Sequence, residues 1–383
     1  MLEPNETALL PEGLHDSLVG DAMQETKVVE NLLNSFSSNG YDLVLPPMVE
    51  FEESLLLGPG KAHSRNMFRL LDPASQRMMG VRTDMTGQVA RISHSRLKNA
   101  PRPLRLGYAG DVLRIKGTQL RPERQFKQAG VELIGSDSTE AYVEIIMLAY
   151  DALKAAGAKK LSIDLAMPML VPAITDGLGL DDATSKLVRH ALDAKDIGEL
   201  SNIQDEIGEI SRALLGAAGP AEKALDAIGV LSLPVAAKSI VDELVKLVEK
   251  LSNVAPDLVV TIDPGEYTGF EYQTGISFSF FAGGVRGELG RGGRYIVNAE
   301  RGEGEPATGF SLYLDSLIRA IGEYKGAEKI YIPLGTDRAI LNELQNKNYR
   351  TIQGLTETDD TVSEAKRMGC ECVWLDGQIE NIS

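Results

Sequence analysis

The chain has 383 residues, 43% of them hydrophobic and 25% charged, the proportions of an ordinary folded protein with room for two or three domains. Its 39 lysines and arginines against 55 aspartates and glutamates give a formal net charge of −16. That field repels a polyphosphate backbone and argues against nucleic acid as a ligand, although residues 91–124 are locally basic.

No apolar run approaches the roughly 20 residues of a membrane span. The polar, acidic start MLEPNETALLPEG lacks the basic and apolar parts of a secretory signal. A cytoplasmic protein without a membrane partner is therefore expected. Residues 18–39 carry apolar side chains at helical spacing and stop at Gly40, which predicts an amphipathic helix ended by glycine. YDLVLPPMVEF (41–51) reads as a strand, and its Pro46-Pro47 pair confines it to a sheet edge, a place where subunits often meet. Residues 67–82 predict a hairpin turning at Asp72-Pro73. PLRLGYAGDVLRI (103–115) and RQFKQAGVELIG (124–135) predict two further strands, so this part reads as an antiparallel sheet. A helix over 139–156 stops at Gly157, and KKLSIDLA (159–166) returns as a strand.

Between about Pro168 and Pro256 aromatic residues vanish and alanine, leucine, lysine and glutamate dominate, which predicts a helical module inserted into the sheet. Its helices, such as the one containing VDELVKLVEKL, read as core-and-surface amphipaths and not as partner grooves. Strands resume at DLVVTIDP, FEYQTGISFSFFAGG and GELGRGGRYIV, and PATGFSLYLDSLIRAIGEY (306–324) reads as a closing helix. From residue 329 strand and helix alternate in a small α/β unit. The expected domains are a sheet core in two parts, 1–168 and 257–325, a helical insertion at 169–256 and a C-terminal α/β domain at 326–383.

Strand alternation places Arg124, Phe126, Gln128, Gly130 and Glu132 on one face. A cation, an amide and an anion together suit an amino-acid zwitterion, and they equally describe a solvated strand face. The glycines of 283–293 lack the lysine and hydroxyl residue of a phosphate loop and point to a tight hairpin with close backbone approach. His15, His63, His94 and His190 match no ligand or triad spacing, and Cys370 and Cys372, one residue apart, read as reduced strand residues. Neither a metal nor a cofactor is expected.

QFKQAGVELIG closely resembles motif 2 of histidyl-tRNA synthetases, and the resemblance runs over roughly residues 9–320. LPEGLHD is similar to that family's N-terminal opening, GYDLVLPPMVE to its dimer-forming motif 1, VRTDMT to the loop that grips the substrate's amino group, and GELGRGGRY to its histidine-pocket strand. The resemblance implies an α+β fold of the class II aminoacyl-tRNA synthetase type: an antiparallel sheet flanked by helices, with a helical insertion and a small C-terminal α/β unit. It implies that Asp84, Thr86 and Gln128 receive the α-ammonium of histidine, that Glu132 and Tyr272 hold the imidazole, and that Arg114 faces the carboxylate. An ammonium needs acceptors, and an imidazole needs a matched donor and acceptor. A polar pocket that persists without a ligand is the alternative.

The chain also departs from that family. Thr268 stands where the synthetases carry an arginine that promotes adenylate formation, Ser316 where an arginine stacks on adenine, and Lys116 where motif 2 has a glutamate. Losing one preorganised donor to developing phosphoryl charge costs roughly 10²–10³ in rate. The C-terminal unit is also too short for an anticodon-binding domain. This combination resembles the regulatory subunits of short-form ATP phosphoribosyltransferase, a paralogous family. That resemblance implies a non-catalytic protein of histidine biosynthesis that binds the short-form catalytic subunit, raises its activity, relays feedback inhibition by L-histidine and self-associates as a dimer. An active histidyl-tRNA synthetase, or a protein adenylating histidine for another acceptor, is the alternative.

Overall fold

The computed structural model describes residues 10–117, 121–201, 203, 205–267, 272–298, 304–322 and 326–382. Thr268 and the three residues after it lie outside these. Contacts group the chain into one unit centred on Glu25–Gly322 and a second that joins Leu18–Gln24 to residues 326–382.

Helix α1 (Asp21–Ser38) buries Val28, Leu32 and Phe36 at helical spacing and ends before Gly40, whose φ of +81° suits a residue without a side chain. The predicted strand at 41–51 splits at its prolines. Its first part, β1 (Asp42–Leu43), is an edge of the large sheet, and β2 (Val49–Phe51) pairs with the hairpin of β3 (Arg69–Leu71) and β4 (Met78–Val81) in a separate small sheet. Side chains take up the carbonyls of the break: Arg82 Nη1 donates to Pro46 O at 2.9 Å, and Gln88 Nε2 donates to Pro47 O at 2.7 Å. The hairpin turns on Asp72, whose carboxylate accepts from the amides of Ala74 and Ser75, both at 3.1 Å.

After α2 (Glu52–Leu55), a 3-10 stretch (Gly58–Asn66) and α3 (Thr86–Ser95), strands β5 (Leu104–Leu113) and β6 (Gln125–Ile134) pair along their full length. Helix α4 (Thr139–Ala155), capped by the Ser138 hydroxyl, buries Tyr142, Ile145, Ile146 and Ala149, and β7 (Leu161–Ala166) follows. The aromatic-free segment forms α5 (Leu170–Gly177), α6 (Asp182–Asp193), α7 (Ile197–Ser201), α8 (Glu206–Ala217), a two-residue β8 (Gly219–Pro220), α9 (Ala221–Gly229) and α10 (Val235–Val254). Then come β9 (Val259–Asp263), β10 (Gln273–Ala282), β11 (Gly290–Val297), β12 (Glu305–Tyr313) and α11 (Leu314–Ile321).

The nine strands run in the order β1-β5-β6-β12-β11-β10-β7-β9-β8. Pairing is antiparallel except at β1·β5 and β7·β9. This is the class II synthetase-like architecture, with one correction. The segment read as a single closing helix is a strand up to Tyr313, and β12 occupies the middle of the sheet between β6 and β11.

The second unit has β13 (Lys329–Ile332), α12 (Arg338–Asn346), β14 (Arg350–Gln353), α13 (Thr361–Arg367), β15 (Cys372–Leu375) and β16 (Gln378–Asn381), in the sheet order β14-β13-β15-β16. The two cysteines are free and buried. Among the described residues no helix is long and apolar enough to cross a membrane.

Candidate functional site

The pleat of β6 turns Phe126, Gln128, Gly130 and Glu132 to one face, and register decides what they meet. Glu132 lies between Leu106 of β5 and Gly309 of β12, and Gly130 lies between Tyr108 and Ser311. Ser311 in turn faces Arg291 of β11, and Gly309 faces Gly293. The glycines create the space here. A Cβ on Gly130 would overlap the Tyr108 hydroxyl and the Phe310 carbonyl, and one on Gly309 would overlap Glu132 Oε2.

Glu132 is only 1% exposed, yet both of its oxygens are served. Tyr108 OH donates to Oε1 at 3.2 Å and Tyr295 OH donates to Oε2 at 3.0 Å. Burial pushes the carboxyl up to about 8; the Tyr295, Thr86 and Tyr108 hydroxyls pull the other way, while Asp84 repels and adds to the rise. Burial, reinforced by the neighbouring acidic groups Glu132 and Asp84, also raises the Tyr108, Tyr295 and Tyr272 hydroxyls, so all three remain neutral.

Gln128, also 1% exposed, is fixed at both ends. Its Nε2 donates to Asp84 Oδ2 at 2.8 Å and to Ser311 Oγ at 2.6 Å, and its Oε1 accepts from Met85 N at 3.0 Å. Asp84, just ahead of α3, accepts from Thr86 N at 2.8 Å, and Thr86 Oγ1 lies 3.4 Å from Tyr108 OH. Ser311 Oγ sits 2.9 Å from Tyr108 OH. One hydrogen-bonded chain therefore runs Asp84, Gln128, Ser311, Tyr108, Glu132, Tyr295. Such a fully paired polar network holds its geometry, because breaking any link strands a buried group.

Beside this chain is a small cavity, with about 10 Å³ of open space, lined by Thr86, Glu132, Tyr272, Arg291, Tyr295 and Ser311, among others. That is room for about one water molecule, far below the roughly 300–1,000 Å³ of drug-sized clefts, so an amino acid enters only if the lining side chains move. Tyr272 closes one side, its ring meeting Tyr295 edge to face with centroids 5.8 Å apart.

The structure thus brings Asp84, Thr86, Gln128, Glu132 and Tyr272 together. Asp84 and Gln128 join this group through the hydrogen-bonded chain and, like Arg114, do not line the cavity itself. Arg114 Nε donates to Thr83 O at 3.4 Å, and its guanidinium lies 5.0 Å from the Phe126 ring centroid. Arg124, expected beside Gln128 and Glu132, is corrected as well. It precedes the first paired residue of β6 and donates to the carbonyls of Glu12, at 3.0 Å, and Arg114, at 3.2 Å. Ser316 is buried in α11 and accepts from Arg319 Nη2 at 3.1 Å. Tyr108, Tyr295, Ser311 and Arg291 were not foreseen. Tyr295 and Arg291 stood inside GELGRGGRY, whereas Ser311 fell in a segment read as helix.

The histidyl-tRNA synthetase family model matches residues 13–317. The ATP phosphoribosyltransferase regulatory subunit of Rhodospirillum centenum is 49% identical over 375 residues, covering 98% of this chain and 96% of that protein. A solved structure described as an ATP phosphoribosyltransferase regulatory subunit/histidyl-tRNA synthetase from Bacillus halodurans C superposes with a TM-score of 0.81 at 26% identity, covering 96% of this chain and 97% of that one. A chain of an ATP phosphoribosyl transferase complex from Thermotoga maritima shares the fold at 18% identity, with a TM-score of 0.59 over 76% of this chain and 97% of its own length.

Proposed function

Because this chain belongs to the ATP phosphoribosyltransferase regulatory-subunit family, we propose that it is the non-catalytic partner of a short-form catalytic subunit. In this reading it acts at the first step of histidine biosynthesis in the cytoplasm, raises the activity of the catalytic subunit and imposes feedback inhibition by L-histidine. The observation that supports histidine as effector is the buried hydrogen-bonded chain from Asp84 to Tyr295, which runs beside a small cavity lined by Thr86, Glu132, Tyr272 and Arg291. Asp84, Thr86 and Gln128 receive the ammonium, and Glu132, supported by Tyr295 and Tyr272, meets the imidazole. A carboxyl that still carries a proton near neutral pH pairs with imidazole whichever of the two holds the proton.

The catalytic partner is carried over from the family and from the Thermotoga complex. Self-association is supported by a run of exposed apolar side chains, Leu43, Leu45 and Met48 on one segment and Leu70, Leu71 and Met78 on the hairpin. Ser316 supports the absence of adenylation, since a short neutral hydroxyl cannot stack on a nucleotide as an arginine does.

The test is phosphoribosyl-ATP synthesis by the short-form catalytic subunit with and without this chain across a histidine titration. We expect stimulation by the chain and inhibition by histidine only when the chain is present. No change in rate or inhibition, or histidine-dependent ATP–pyrophosphate exchange by the chain alone, would return the pocket to an adenylating enzyme.

A further inference from the structure

We infer that Arg291 receives the α-carboxylate of the amino acid bound in this pocket, so that the pocket selects a free amino acid over analogues lacking the carboxylate. The inference rests on the histidine reading above and adds the residue that reads the third group of the ligand. The ammonium has Asp84, Thr86 and Gln128, and the imidazole has Glu132 and the tyrosines. Among the described residues lining the cavity, Arg291 is the only cation.

Its placement follows from the sheet. Along β11 the pleat sends Arg291, Gly293 and Tyr295 to the pocket face. Arg294 goes to the other face, where it donates to Glu243 at 2.9 Å and to the Ser138 carbonyl at 2.6 Å. Arg291 lies directly across from Ser311, the hydroxyl that joins Gln128 to Tyr108. Glu132 is two strands and two residues away, which puts the two Cα atoms about 12 Å apart. Glu132 and Arg291 both line the cavity, one towards each end of that span.

The guanidinium is aimed by a carboxylate behind it. Arg291 Nε and Nη2 donate to Glu288 Oε2 at 3.0 and 2.6 Å, and the other Glu288 oxygen accepts from Arg121 Nη2 at 3.0 Å. Glu288 is thus shared between two arginines, and Arg121 also lies 3.7 Å from Asp315 Oδ2. An arginine fork positioned by its Nε edge presents planar, charge-assisted N–H groups, the geometry suited to a carboxylate. Arg114, the cation that sequence resemblance suggested for this task, is turned to the Thr83 carbonyl instead.

The test compares L-histidine with L-histidinol, which keeps the ammonium and imidazole and lacks the carboxylate. Calorimetry is run on the full chain with its catalytic subunit. Wild type should bind histidine tighter than histidinol by roughly ten- to a hundred-fold, the worth of hydrogen bonds to a charged group. Arg291→Met should remove that preference by weakening histidine while leaving histidinol unchanged. Equal affinity of wild type for the two ligands overturns the inference without needing a variant, as does an equal loss for both in Arg291→Met, the mark of a merely structural role. Failure of wild type to bind either ligand overturns the histidine reading itself, and this inference with it.

Discussion

Glu132 is the residue on which pH acts most directly. Folded, it keeps its proton up to about pH 8, because burial outweighs the hydroxyls that donate to it; in the unfolded chain it ionises near its ordinary value of 4.5. Between these values the folded state binds more protons than the unfolded one, so stability falls as pH rises, and the contribution is spent above about pH 8. Glu132→Gln keeps the shape and has no proton to lose. Urea midpoints of the ligand-free proteins at pH 5, 6.5 and 8 should therefore show wild type losing roughly 3–5 kcal/mol relative to the variant across that window. A difference that does not change with pH would mean that Glu132 is already ionised in the pocket. The sequence made Gln128 and Glu132 legible because they stand two and six residues after Phe126 on one strand face. It did not make Arg291 or Ser311 legible, because their place at the pocket depends on register between strands far apart in the chain, nor Tyr108, whose place beside Glu132 depends on the register of the β5·β6 pair. Arg124 misled for a related reason: alternation holds only where the strand is paired, and pairing begins at Gln125.

At the level of elements, the prolines at 46 and 47 decide the most. They end β1 after Leu43 and start a separate sheet at Val49, leaving Leu45 73% exposed with Leu43 and Met48 on the same segment. If this face and the hairpin meet a second copy, Leu45→Asp combined with Leu71→Asp should shift the protein from dimer to monomer in sedimentation, with an unchanged far-UV spectrum. A dimer that survives both charges would place self-association elsewhere. Strands with one solvated face, and helices with one apolar stripe, were readable because burial imprints a period on them. The strand β12 was not. It is buried from Ala307 to Tyr313 and flanked on both sides, so polar residues such as Thr308 and Ser311 face inward with apolar ones, no two-residue alternation appears, and the segment passes as the start of the helix it precedes. The missed β16 had a signal: Asp376-Gly377, both with positive φ, forms the tight turn that joins β15 to β16.

For the whole molecule, the proposed role requires a coupling free energy between the histidine pocket and the surface that holds the catalytic subunit. Such coupling is reciprocal: if histidine changes the affinity of the chain for its partner by some factor, the partner changes the affinity for histidine by the same factor. Regulatory couplings of this kind are typically about 5–150-fold. Histidine affinity should therefore be measured on the chain alone and on the assembled complex, and partner affinity with and without saturating histidine. The two ratios should agree and differ from one. The net charge of −16 makes ionic strength the control to hold fixed, because an acidic surface changes partner affinity with salt whether or not the pocket is filled. If histidine binds the free chain and the complex equally well, it has no leverage on assembly, and inhibition would have to act on the rate of the assembled enzyme. If histidine binds only the complex, part of its site is completed by the partner. The carboxylate end at Arg291 would then be the first place to look, because the residues proposed for the ammonium and imidazole already form one hydrogen-bonded network within this chain.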